Sequence, residues 1–380
     1  MTVTITAVEA IPLEVKGLRP FRISEGRAAT HYSVLLRLLT STHGLEGNAE
    51  IVAAPPGKPE EFLEEIVGAV HRFVAPALIG KAVLDRRAAM TAVEKTLKGR
   101  NWTKAAVNNA LMDLQGKLLG VSAATLIGGR SVGRVPVIGP VIGIMHPDEM
   151  AAIASGQASA GFACVKIKIG ETVDVDIARV KACRAALPAS VRLRVDANDH
   201  YRPADAIRLM HAIEQFDIEH VEQPIARSDI LGMAYVRGRT GIPLMTDDMV
   251  ATPADAINVI RLGAADRIKV KVTKHGLEGA AAIVVMLQAA GLTPVLGHVF
   301  EMGLAAVAEA QLAAAFDDVL AGPHEIGSLR PIGASDDIIV GNLQTEAGFM
   351  TVPDGPGLGV TLDWAAIERL RIDAAGRRPA

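Results

Sequence analysis

The sequence predicts an α/β fold in which a (β/α)8 barrel follows an amino-terminal α+β unit. From Val135 onward, short β-branched segments alternate with Ala- and Leu-rich helical segments, which is typical of a parallel sheet built from βα units. Polar residues also end six successive predicted strands, at intervals of 24 to 28 residues. A barrel of about 250 residues has eight units of roughly 31 residues, so each interval fits one βα unit.

The amino-terminal unit begins with two alternating apolar runs, 4–15 and 31–40, which predict an antiparallel hairpin with a long connection. The segment 43–47 predicts the turn into a third strand. From about 59 to 128, apolar residues recur at three- and four-residue spacing, which indicates helices. Residues 1–130 are therefore expected to form one α+β domain.

The barrel strands are predicted from short apolar, β-branched runs that lie between helical segments. In this fold the carboxyl ends of the strands form the mouth in which active sites are built. The predicted strands are 135–144, 163–169, 191–196, 218–223, 242–247, 267–272 and 293–298, with a weaker eighth strand near 319–323.

The composition excludes several classes of protein. The chain has 380 residues, of which 50% are hydrophobic and 21% charged, as is typical of a globular protein with a large core. A net charge of −3 without a basic stripe argues against nucleic-acid binding. The two cysteines, Cys164 and Cys183, have no C-x-x-C spacing, so neither a disulfide framework nor a cysteine zinc site is expected.

The sequence also favours a cytoplasmic protein that does not enter a membrane. The amino terminus lacks a basic leader followed by an apolar core, which is the pattern of a secretory signal. The most apolar stretch, 279–297, is interrupted by Gln288 and Pro294. A helix buried against a sheet explains this stretch better than a transmembrane segment does.

Three carboxylates, Asp196, Glu222 and Asp247, end three consecutive apolar strands. Burying unpaired negative charge is costly, and a hard divalent cation is the natural compensation. Mg²⁺ prefers oxygen ligands and keeps positions open for water or substrate. An acid at such a place can instead cap the next helix, but three acids at matched spacing favour metal binding. Asp248 is predicted to point to the other face, because side chains alternate along a strand.

Two lysine pairs flank these acids in sequence order. Lys166 and Lys168 lie two residues apart in one predicted strand, and Lys269 and Lys271 do so in another. Each pair therefore projects from one face, which is the interior in a barrel covered by helices. A basic edge strand with solvated lysines explains either pair alone but not both together. The alternation does not choose between Lys269 and Lys271.

The lysines are candidates for acid/base catalysis. Amines held close to one another and to a metal, away from bulk water, are expected to have lowered pKa values and to exchange protons near neutral pH. Strands two and six stand on opposite sides of an eight-stranded barrel, with the three acids on the strands between them. A substrate bound at the metal would therefore have one lysine on each face.

Eight motifs occur in order over nearly the whole chain. They are AVNNALMDLQGKLLG at 106–120, VKIKIG at 165–170, VDAN at 195–198, VEQP at 221–224, IPLMTDD at 242–248, DRIKVKVTKHG at 266–276, GHVFEMG at 297–303 and VPDGPGLGV at 352–360. Together these motifs resemble those of the enolase superfamily, and within it the muconate-lactonizing-enzyme-like subgroup. The combination is highly specific, although K-x-K alone is not.

The resemblance implies a modified (β/α)8 TIM-like barrel at 131–349 beneath an α+β capping domain at 1–130, which residues 350–380 complete. It also implies abstraction of a proton α to a carboxylate, with an enediolate intermediate stabilised by a divalent metal. The expected cofactor is Mg²⁺, with Mn²⁺ as a substitute. The expected partners are a small-molecule carboxylate substrate and further copies of the chain, because homo-oligomers are usual in this family.

The resemblance also assigns roles to individual residues. Lys168 and Lys271 would form the acid/base pair, and Lys166 would support Lys168 and the substrate carboxylate. The subgroup's lysine precedes a Lys-x-Gly by two residues, which selects Lys271 over Lys269 and leaves Lys274 as the downstream basic residue. The metal ligands implied by the resemblance are Asp196, Glu222 and Asp247.

The outcome of the reaction depends on the substrate. We expect a muconate cycloisomerase-like reaction, in which a muconate-type diacid is lactonised. The alternative in the same class is a racemase, epimerase or dehydratase of an amino-acid derivative such as a proline analogue. A dipeptide epimerase is disfavoured, because the Asp-x-Asp pair of those enzymes on the eighth strand is absent from FDDVLAGPHEIG at 316–327.

Two hypotheses lie outside this reaction class. A catalytically silent metal-binding scaffold would be expected to have lost one of the two lysines or three acids, and none is missing. A nicotinamide-dependent oxidoreductase would be expected to show G-x-G-x-x-G after a strand, and this pattern is missing. Both hypotheses are therefore weaker than the isomerase hypothesis.

Substrate specificity is expected from the lid, which comprises the loop 21–27 and the segment 50–57, and from strands seven and eight. The candidate substrate-binding residues are Arg22, Ser24, Glu50, Asn198, His298 and Glu301. Arg22, Ser24 and Arg27 are equally explained as solvated loop residues. Glu301 matches an acidic position of the subgroup and is expected to contact the substrate or another active-site group.

The chain departs from the subgroup at two places. Gly276-Leu277 stands where Gly-Gly is usual, and His298 stands where Ser is common on strand seven. His298 resembles the histidine of mandelate-racemase-like relatives, whose Asp partner lies at the end of strand six. Lys271 holds that place here, so a His–Asp dyad is not expected, and a hydrogen-bonded structural histidine is the alternative to a substrate contact.

Overall fold

The computed structural model describes residues 2–24, 26–54, 60–327, 336–341, 343–373 and 375–377, without the side chains of Arg19, Arg27 and Ala28. The predicted lid therefore lies partly outside the described residues, since these omit residue 25 and residues 55–57 of its two segments.

An antiparallel sheet opens the chain, with strands β1 (Ile5–Ile23), β2 (Gly26–Thr40) and β3 (Glu46–Ala53) in this order. The predicted hairpin and third strand are confirmed, but the long connection is wrong. The two strands pair up to Ile23 and Gly26, with an irregular register between Lys16 and Phe21. This irregularity interrupts the alternation of side chains, which is why the sequence pattern ends too early.

Helices cover one face of this sheet and link it to the barrel. Helix α4 (Asn101–Leu119) packs between β3 and the barrel helix α11 (Val272–Ala289). Its residues Ala106 and Ala110 are buried. The predicted helical region is confirmed. It comprises α1 (Leu63–Ala69), a π-helical turn (Val70–Val74), α2 (Ala75–Leu78), α3 (Arg86–Thr96), α4 (Asn101–Leu119) and α5 (Ala123–Ile127), while α11 is Val272–Ala289.

Six parallel strands form the main wall of the barrel, and they are hydrogen-bonded in chain order. They are β5 (Cys164–Lys168), β6 (Arg192–Asp196), β7 (Ile218–Glu222), β8 (Leu244–Thr246), β9 (Arg267–Val270) and β10 (Thr293–Leu296). The helices around them are α6 (Pro147–Ser159), α7 (Val173–Ala186), α8 (Pro203–Ile213, continued by a 3-10 turn at Glu214–Phe216), α9 (Ile230–Arg237), α10 (Pro253–Leu262), α11 and α12 (Gly303–Ala315). These six strands match the six predicted between 163 and 298.

Irregular segments close the barrel. Ile142 bridges to Ile167 of β5, and Val137 bridges to His324. The amide of Glu325 donates to the carbonyl of Leu296 at 3.2 Å, so the segment around His324 and Glu325 lies directly beside β10. This segment takes the place of the eighth barrel strand and is called the eighth stave below. The predicted eighth strand near 319–323 is thus displaced toward the carboxyl terminus, because 317–319 form a turn.

The predicted first barrel strand, 135–144, is regular only in part. β4 (Arg134–Pro136) pairs with β12 (Phe349–Thr351), which in turn pairs with β11 (Thr345–Glu346), in a small antiparallel sheet. The Gly139-Pro140 dipeptide follows β4, and proline lacks the N–H that a central strand needs. The barrel is therefore modified at its first and eighth staves.

The carboxyl-terminal residues return to the amino-terminal sheet. After α13 (Trp364–Leu370), the amide of Ile372 donates to the carbonyl of Pro12 at 3.0 Å. The guanidinium of Arg37 lies 4.3 Å from the centre of the Trp364 ring. These contacts are those expected of a capping domain completed by the carboxyl terminus, whose exact boundaries stay a prediction. Across the described helices, none is both long and apolar enough to cross a bilayer.

Candidate active site

The alternation of side chains along the barrel strands separates the core from the mouth. Val165, Ile167 and Val195 are fully buried in the hydrophobic core. Their neighbours Lys168 and Asp196 point into the barrel and are paired in register across β5 and β6. Because β6 and β7 pair Asp196 with Glu222 in the same way, the polar side chains stand at one level.

Asp196 lies between the two lysines of β5. Its side chain is fully buried, and its Oδ2 accepts hydrogen bonds from Nζ of Lys168 at 2.7 Å and lies 3.0 Å from Nζ of Lys166. Its Oδ1 accepts from the backbone amide of Asn198 at 3.0 Å. The strand, the following turn and the lysines together hold this carboxylate in one orientation.

Glu222 and Asp247 complete the group of three carboxylates predicted from the sequence. Glu222 is fully buried, and its Oε2 accepts from Nζ of Lys166 at 2.6 Å. Asp247 is 4% exposed, and its Oδ1 lies 2.6 Å from Nζ of Lys271. The structure thus brings each of the three acids into contact with a predicted catalytic lysine.

The charges of the three acids are set by burial and by these amines. Although burial favours the neutral acid, the amines of Lys166 and Lys168 hold the pKa of Asp196 below its usual range. Lys271 likewise outweighs burial and holds the pKa of Asp247 well below its usual range. Burial and the neighbouring Asp196 carboxylate raise the pKa of Glu222 to about 8. Three buried oxygen donors whose partners are cations fit the ligand set that Mg²⁺ prefers.

The lysines do not all follow the predicted lowering of the pKa. Burial lowers the pKa of Lys168, and the charge of Lys166 adds to this effect. For Lys166 and Lys271 the contacts with the acids shift the pKa upward, and a lowering beside a bound metal stays a prediction. Burial alone would lower their pKa values, but Asp196 raises that of Lys166 and Asp247 raises that of Lys271.

Asp248 also faces the mouth, so the prediction that it points away is wrong. Its Oδ1 lies 3.1 Å from Nζ of Lys274 and 3.5 Å from Nζ of Lys271. β8 ends at Thr246, and the chain turns immediately afterwards, so the alternation of a strand does not extend to this residue. Asp248 is half-buried, whereas Asp247 is almost fully buried.

Three buried residues beneath the mouth were missed or left open by the sequence analysis. Lys269 donates to Oε1 of Glu222 at 2.6 Å, one level below Lys271. Arg194 precedes Asp196 by two residues, so the alternation itself indicated that it points inward. Glu325 lies on the eighth stave, where the strand pattern is weak and where the sequence therefore gave no usable signal.

Two described residues of the lid loop contact the barrel. The hydroxyl of Ser24 donates to the backbone carbonyl of Asn198 at 2.9 Å. Arg22 is 43% exposed, and its guanidinium lies 3.7 Å from the carboxylate of Glu171. These contacts fix the tip of the β1–β2 hairpin over the mouth, and a substrate contact by Arg22 or Ser24 stays a prediction.

Glu50 has a position that differs from the one expected. The residue is 2% exposed, and its carboxylate accepts from the backbone amides of Met302 at 3.0 Å and Ala305 at 3.4 Å. These amides belong to the first turn of α12, whose positive end attracts an acid. His31 lies 3.3 Å from the same carboxylate. Glu50 therefore joins the capping domain to the barrel, and its contact with substrate stays a prediction.

Strained backbone follows the strands that carry the acids. Asn198 has φ +42°, Asp199 has φ +65° and Gln223 has φ +37°, in the left-handed region that non-glycine residues rarely adopt. Such strain is concentrated at functional sites. Within the described residues, the buried Oδ1 of Asn198 has no hydrogen-bond partner, so it is a suitable group to meet a ligand.

His298 is half-buried near the lysines of the mouth. Burial lowers its pKa well below the usual range, and the amines of Lys166, Lys269 and Lys271 add to this effect against the opposing charge of Glu325. Its Nδ1 accepts from the backbone amide of Phe300 at 3.2 Å. The imidazole is therefore neutral, and whether it contacts the substrate stays a prediction.

Glu301 and Glu309 are both fully buried, and within the described residues the Oε1 atom of each carboxyl group has no hydrogen-bond partner. Neighbouring carboxyl groups away from water favour a state in which one of them carries a proton. Burial and the Glu301 carboxylate raise the pKa of Glu309 well above its usual range, against the charge of Lys271. The Oε2 atom of Glu301 accepts from the amide of Val299 at 2.8 Å. Its proposed contact with substrate stays a prediction.

This carboxyl pair predicts a pH-dependent stability. Between an unfolded pKa of about 4.3 and the raised folded value, only the folded chain holds the Glu309 proton, so the free energy of unfolding falls as the pH rises. In a Glu309→Gln variant, the side chain takes up no proton, and its amide oxygen can still accept from the amide of Gly327, which lies 2.9 Å from Glu309. The fall between pH 6 and 8 should become shallower by up to about 1.4 kcal/mol per pH unit.

Urea unfolding followed by circular dichroism at pH 6, 7 and 8 measures this slope. A Glu94→Gln variant is the control, because the Glu94 side chain is 53% exposed and lies on the surface helix α3. The control should keep the slope of the parent protein. An unchanged slope in the Glu309→Gln variant would show that the pair holds no proton in this pH range.

Comparisons with known proteins agree with this geometry. A family model described as "Enolase C-terminal domain-like" matches residues 149–366, and one described as "Mandelate racemase / muconate lactonizing enzyme, N-terminal domain" matches residues 6–128. The chain is 30% identical over 363 residues to the L-Ala-D/L-Glu epimerase of Bacillus subtilis, covering 94% of this chain and 96% of that protein.

Two further relatives differ in their reactions. The chain is 30% identical over 377 residues to muconate cycloisomerase 1-2 of Acinetobacter lwoffii, covering 98% of this chain and 96% of that protein. The crystal structure of the N-succinyl Arg/Lys racemase of Bacillus cereus matches with a TM-score of 0.90 at 27% identity, covering 98% of this chain and 99% of that one. One architecture therefore supports cycloisomerases, epimerases and racemases.

Proposed function

Because the chain belongs to the enolase superfamily, in its muconate-lactonizing-enzyme-like subgroup, we propose that it is an isomerase that moves the α-proton of a carboxylate substrate between two lysines. The observation that carries this proposal is the placement of Lys168 and Lys271 on β5 and at the end of β9. Each amine is bonded to a different buried acid, Asp196 or Asp247. The third acid, Glu222, ends β7, which lies between the strands that precede Asp247 and carry Asp196. Glu222 is paired in register with Asp196 and so lies at the same level of the barrel.

Asp196, Glu222 and Asp247 would hold a divalent ion, for which we propose Mg²⁺, with Mn²⁺ as a substitute. When bound, the ion would anchor the substrate carboxylate and stabilise the negative charge that develops after proton removal. The donor set supports this assignment, since all three residues offer buried carboxylate oxygens. The ligand assignment is part of the proposal.

The lysines of this chain would carry out the proton transfers. One of Lys168 and Lys271 would remove the α-proton from its face of the substrate, and the other would deliver a proton to the opposite face. Lys166, whose amine lies between Asp196 and Glu222, would stay charged and orient the substrate carboxylate. The lid hairpin, fixed by Ser24 on Asn198, would limit the access of water to this step.

Delivery to the opposite face inverts the α-carbon, so this arrangement supports racemisation or epimerisation best. We propose an N-substituted amino acid, including proline analogues, as the substrate class. The similarity to an N-succinyl amino-acid racemase and to a dipeptide epimerase supports this class. A dipeptide substrate is still the less favoured member of it, because the eighth stave lacks an Asp-x-Asp pair.

Lactonisation of a muconate-type diacid is the second candidate. It is favoured by the similarity to a muconate cycloisomerase, whose identity to this chain equals that of the epimerase. The lactonisation needs one lysine rather than two to exchange a proton with the substrate. A dehydratase, the homo-oligomeric state and the cytoplasmic location stay predictions.

Exchange of the α-proton in D₂O tests the proposal. The protein with Mg²⁺ is incubated with separate enantiomers of N-succinyl amino acids, proline analogues and dipeptides, and with cis,cis-muconate, and the products are followed by ¹H NMR. We expect deuterium at the α-carbon together with inversion for at least one N-substituted amino acid, and loss of both with EDTA. Lactone formation without exchange on any amino acid would favour the second candidate. No reaction with any of these compounds would favour a silent scaffold.

A further inference from the structure

A second charged layer lies directly beneath the three acids of the mouth. Glu325 of the eighth stave, Lys269 of β9 and Arg194 of β6 form it, and their exposures are 0%, 2% and 0%. Taking charged groups out of water is costly, so such a layer persists only where the groups satisfy one another. Its contacts therefore show what the layer supports.

Glu325 is the common acceptor of this layer. Its Oε2 accepts from Nζ of Lys166 at 2.9 Å and from Nζ of Lys269 at 2.7 Å. Its Oε1 accepts from Nη1 of Arg194 at 3.2 Å. One carboxylate thus anchors three cations that come from three different strands.

The two anchored amines each extend to Glu222. Lys166 donates to Oε2 of Glu222 and Lys269 donates to Oε1, both at 2.6 Å. Both oxygens of a proposed metal ligand are therefore held by amines whose own positions depend on Glu325. Gly297, which directly follows β10, leaves space for Lys269, because a β-carbon at this position would overlap the Lys269 side chain.

A second metal site is the alternative use of these residues. Ligand atoms of His220, Glu222 and Glu325 lie within 4.8 Å of one another, which is close enough for a shared ion. However, Lys166 and Lys269 already place ammonium groups on the carboxylates of both glutamates. Glu325, the one carboxylate that belongs to this layer alone, also binds Arg194, so three cations already surround it. A divalent ion there would add to this positive charge, and the cluster is therefore assigned a supporting role.

We propose that Glu325 is a positioning residue that, through Lys166 and Lys269, holds the Glu222 carboxylate in place for the divalent ion. This inference rests on the proposed function, since it requires Glu222 to be a metal ligand. Glu325 is not placed in contact with substrate. Its effect should therefore appear in metal affinity itself, before any substrate is present.

The first test is a Glu325→Gln variant, which keeps the shape of the side chain and removes its charge. Mn²⁺ binding to the substrate-free protein is measured by titration with electron paramagnetic resonance, and folding is checked by circular dichroism and the thermal midpoint. Replacing residues that support metal ligands typically weakens metal affinity about 10- to 100-fold. We expect a loss of affinity in this range while the folded structure is kept.

A double variant, Lys269→Met with Glu325→Leu, removes one charge of each sign and so avoids leaving an unpaired cation. Because the net charge is unchanged, a loss of Mn²⁺ affinity in the double variant cannot come from a change of charge near the ion. If Glu325 positions Glu222, the folded double variant should still bind Mn²⁺ at least about 10-fold more weakly than the parent. If Lys269 and Glu325 serve only each other, the double variant should bind Mn²⁺ with parent affinity, which would overturn the inference.

The control is Arg267→Gln, which removes a positive charge from β9, one level deeper in the barrel than Lys269. Within the described residues, the Arg267 guanidinium hydrogen-bonds Glu219 at 2.8 Å and His220 at 3.3 Å, and not Glu222 or Glu325. Its loss should leave the Mn²⁺ affinity unchanged. Parent protein that binds no Mn²⁺ would contradict the proposed function. Parent protein that binds Mn²⁺ while the folded Glu325→Gln variant binds it equally well would contradict only the role of Glu325.

Discussion

Replacing Lys168 by methionine should abolish α-proton exchange for one enantiomer of the substrate and leave exchange of the other enantiomer in place. The reason is geometric, because Lys168 and Lys271 approach the substrate site from different strands and from opposite sides of the acids. Each lysine can then reach the α-carbon from one face alone. Lys271→Met should show the opposite preference, and each single variant should lose racemisation by at least about 1000-fold, within the range of a missing acid or base.

The measurement is ¹H NMR in D₂O with each enantiomer supplied separately at saturating Mg²⁺. Methionine keeps the length of the aliphatic chain, so the packing of the barrel interior changes little. Lys117→Met is the control, since this lysine lies on α4, and its side chain is 25% exposed and pairs with Asp113. If one variant that still binds Mn²⁺ lost exchange of both enantiomers while the other variant kept both, a single lysine would serve both faces.

The polar interior of the barrel could be predicted from the sequence because two simple periodicities determine it. Alternation along a strand places Lys166 and Lys168 on one face, and the length of a βα unit brings Asp196 and Glu222 to the same level. Both expectations depend on regular strands. The prediction for Asp248 is wrong because β8 has already ended at Thr246.

Residues on irregular segments could not be placed in this way. Glu325 belongs to a stave formed by isolated bridges, so the sequence offers no alternation that would show its direction. Glu50 is on β3, a regular strand of the amino-terminal unit. Its contact with the amide of Met302 in the barrel joins two residues that are 252 positions apart in sequence. Contacts of this kind follow from packing and not from a local pattern.

The signs of the pKa shifts also required the structure. Close lysines away from water were expected to share lowered pKa values, but the nearest neighbour of Lys271 is the carboxylate of Asp247, at 2.6 Å. An opposite charge at this distance favours the charged form of both groups. The sequence specifies which groups meet in the mouth, whereas the balance among them depends on distances of a few tenths of an ångström.

The adjacent acids Asp247 and Asp248 should differ strongly in their effects on metal binding. Asp247→Asn should weaken Mn²⁺ binding by more than about 100-fold, since it removes a proposed ligand and not a supporting residue. Asp248→Asn should weaken it by less than about 10-fold, because this half-buried carboxylate lies against Lys274 and Arg227 at 3.1 and 3.2 Å. Both substitutions remove one negative charge from the same loop, so general electrostatics changes equally.

Paramagnetic resonance titration of both variants, with thermal midpoints as a check of folding, separates the two acids. The Asp247→Asn variant should also lose α-proton exchange at every Mg²⁺ concentration tested, whereas the Asp248→Asn variant should recover exchange as Mg²⁺ is raised. The reverse order of affinities would mean that the turn after β8 presents Asp248 to the ion. In that case Lys271, which lies 3.5 Å from Asp248 and 2.6 Å from Asp247, would be held for catalysis by Asp247 alone.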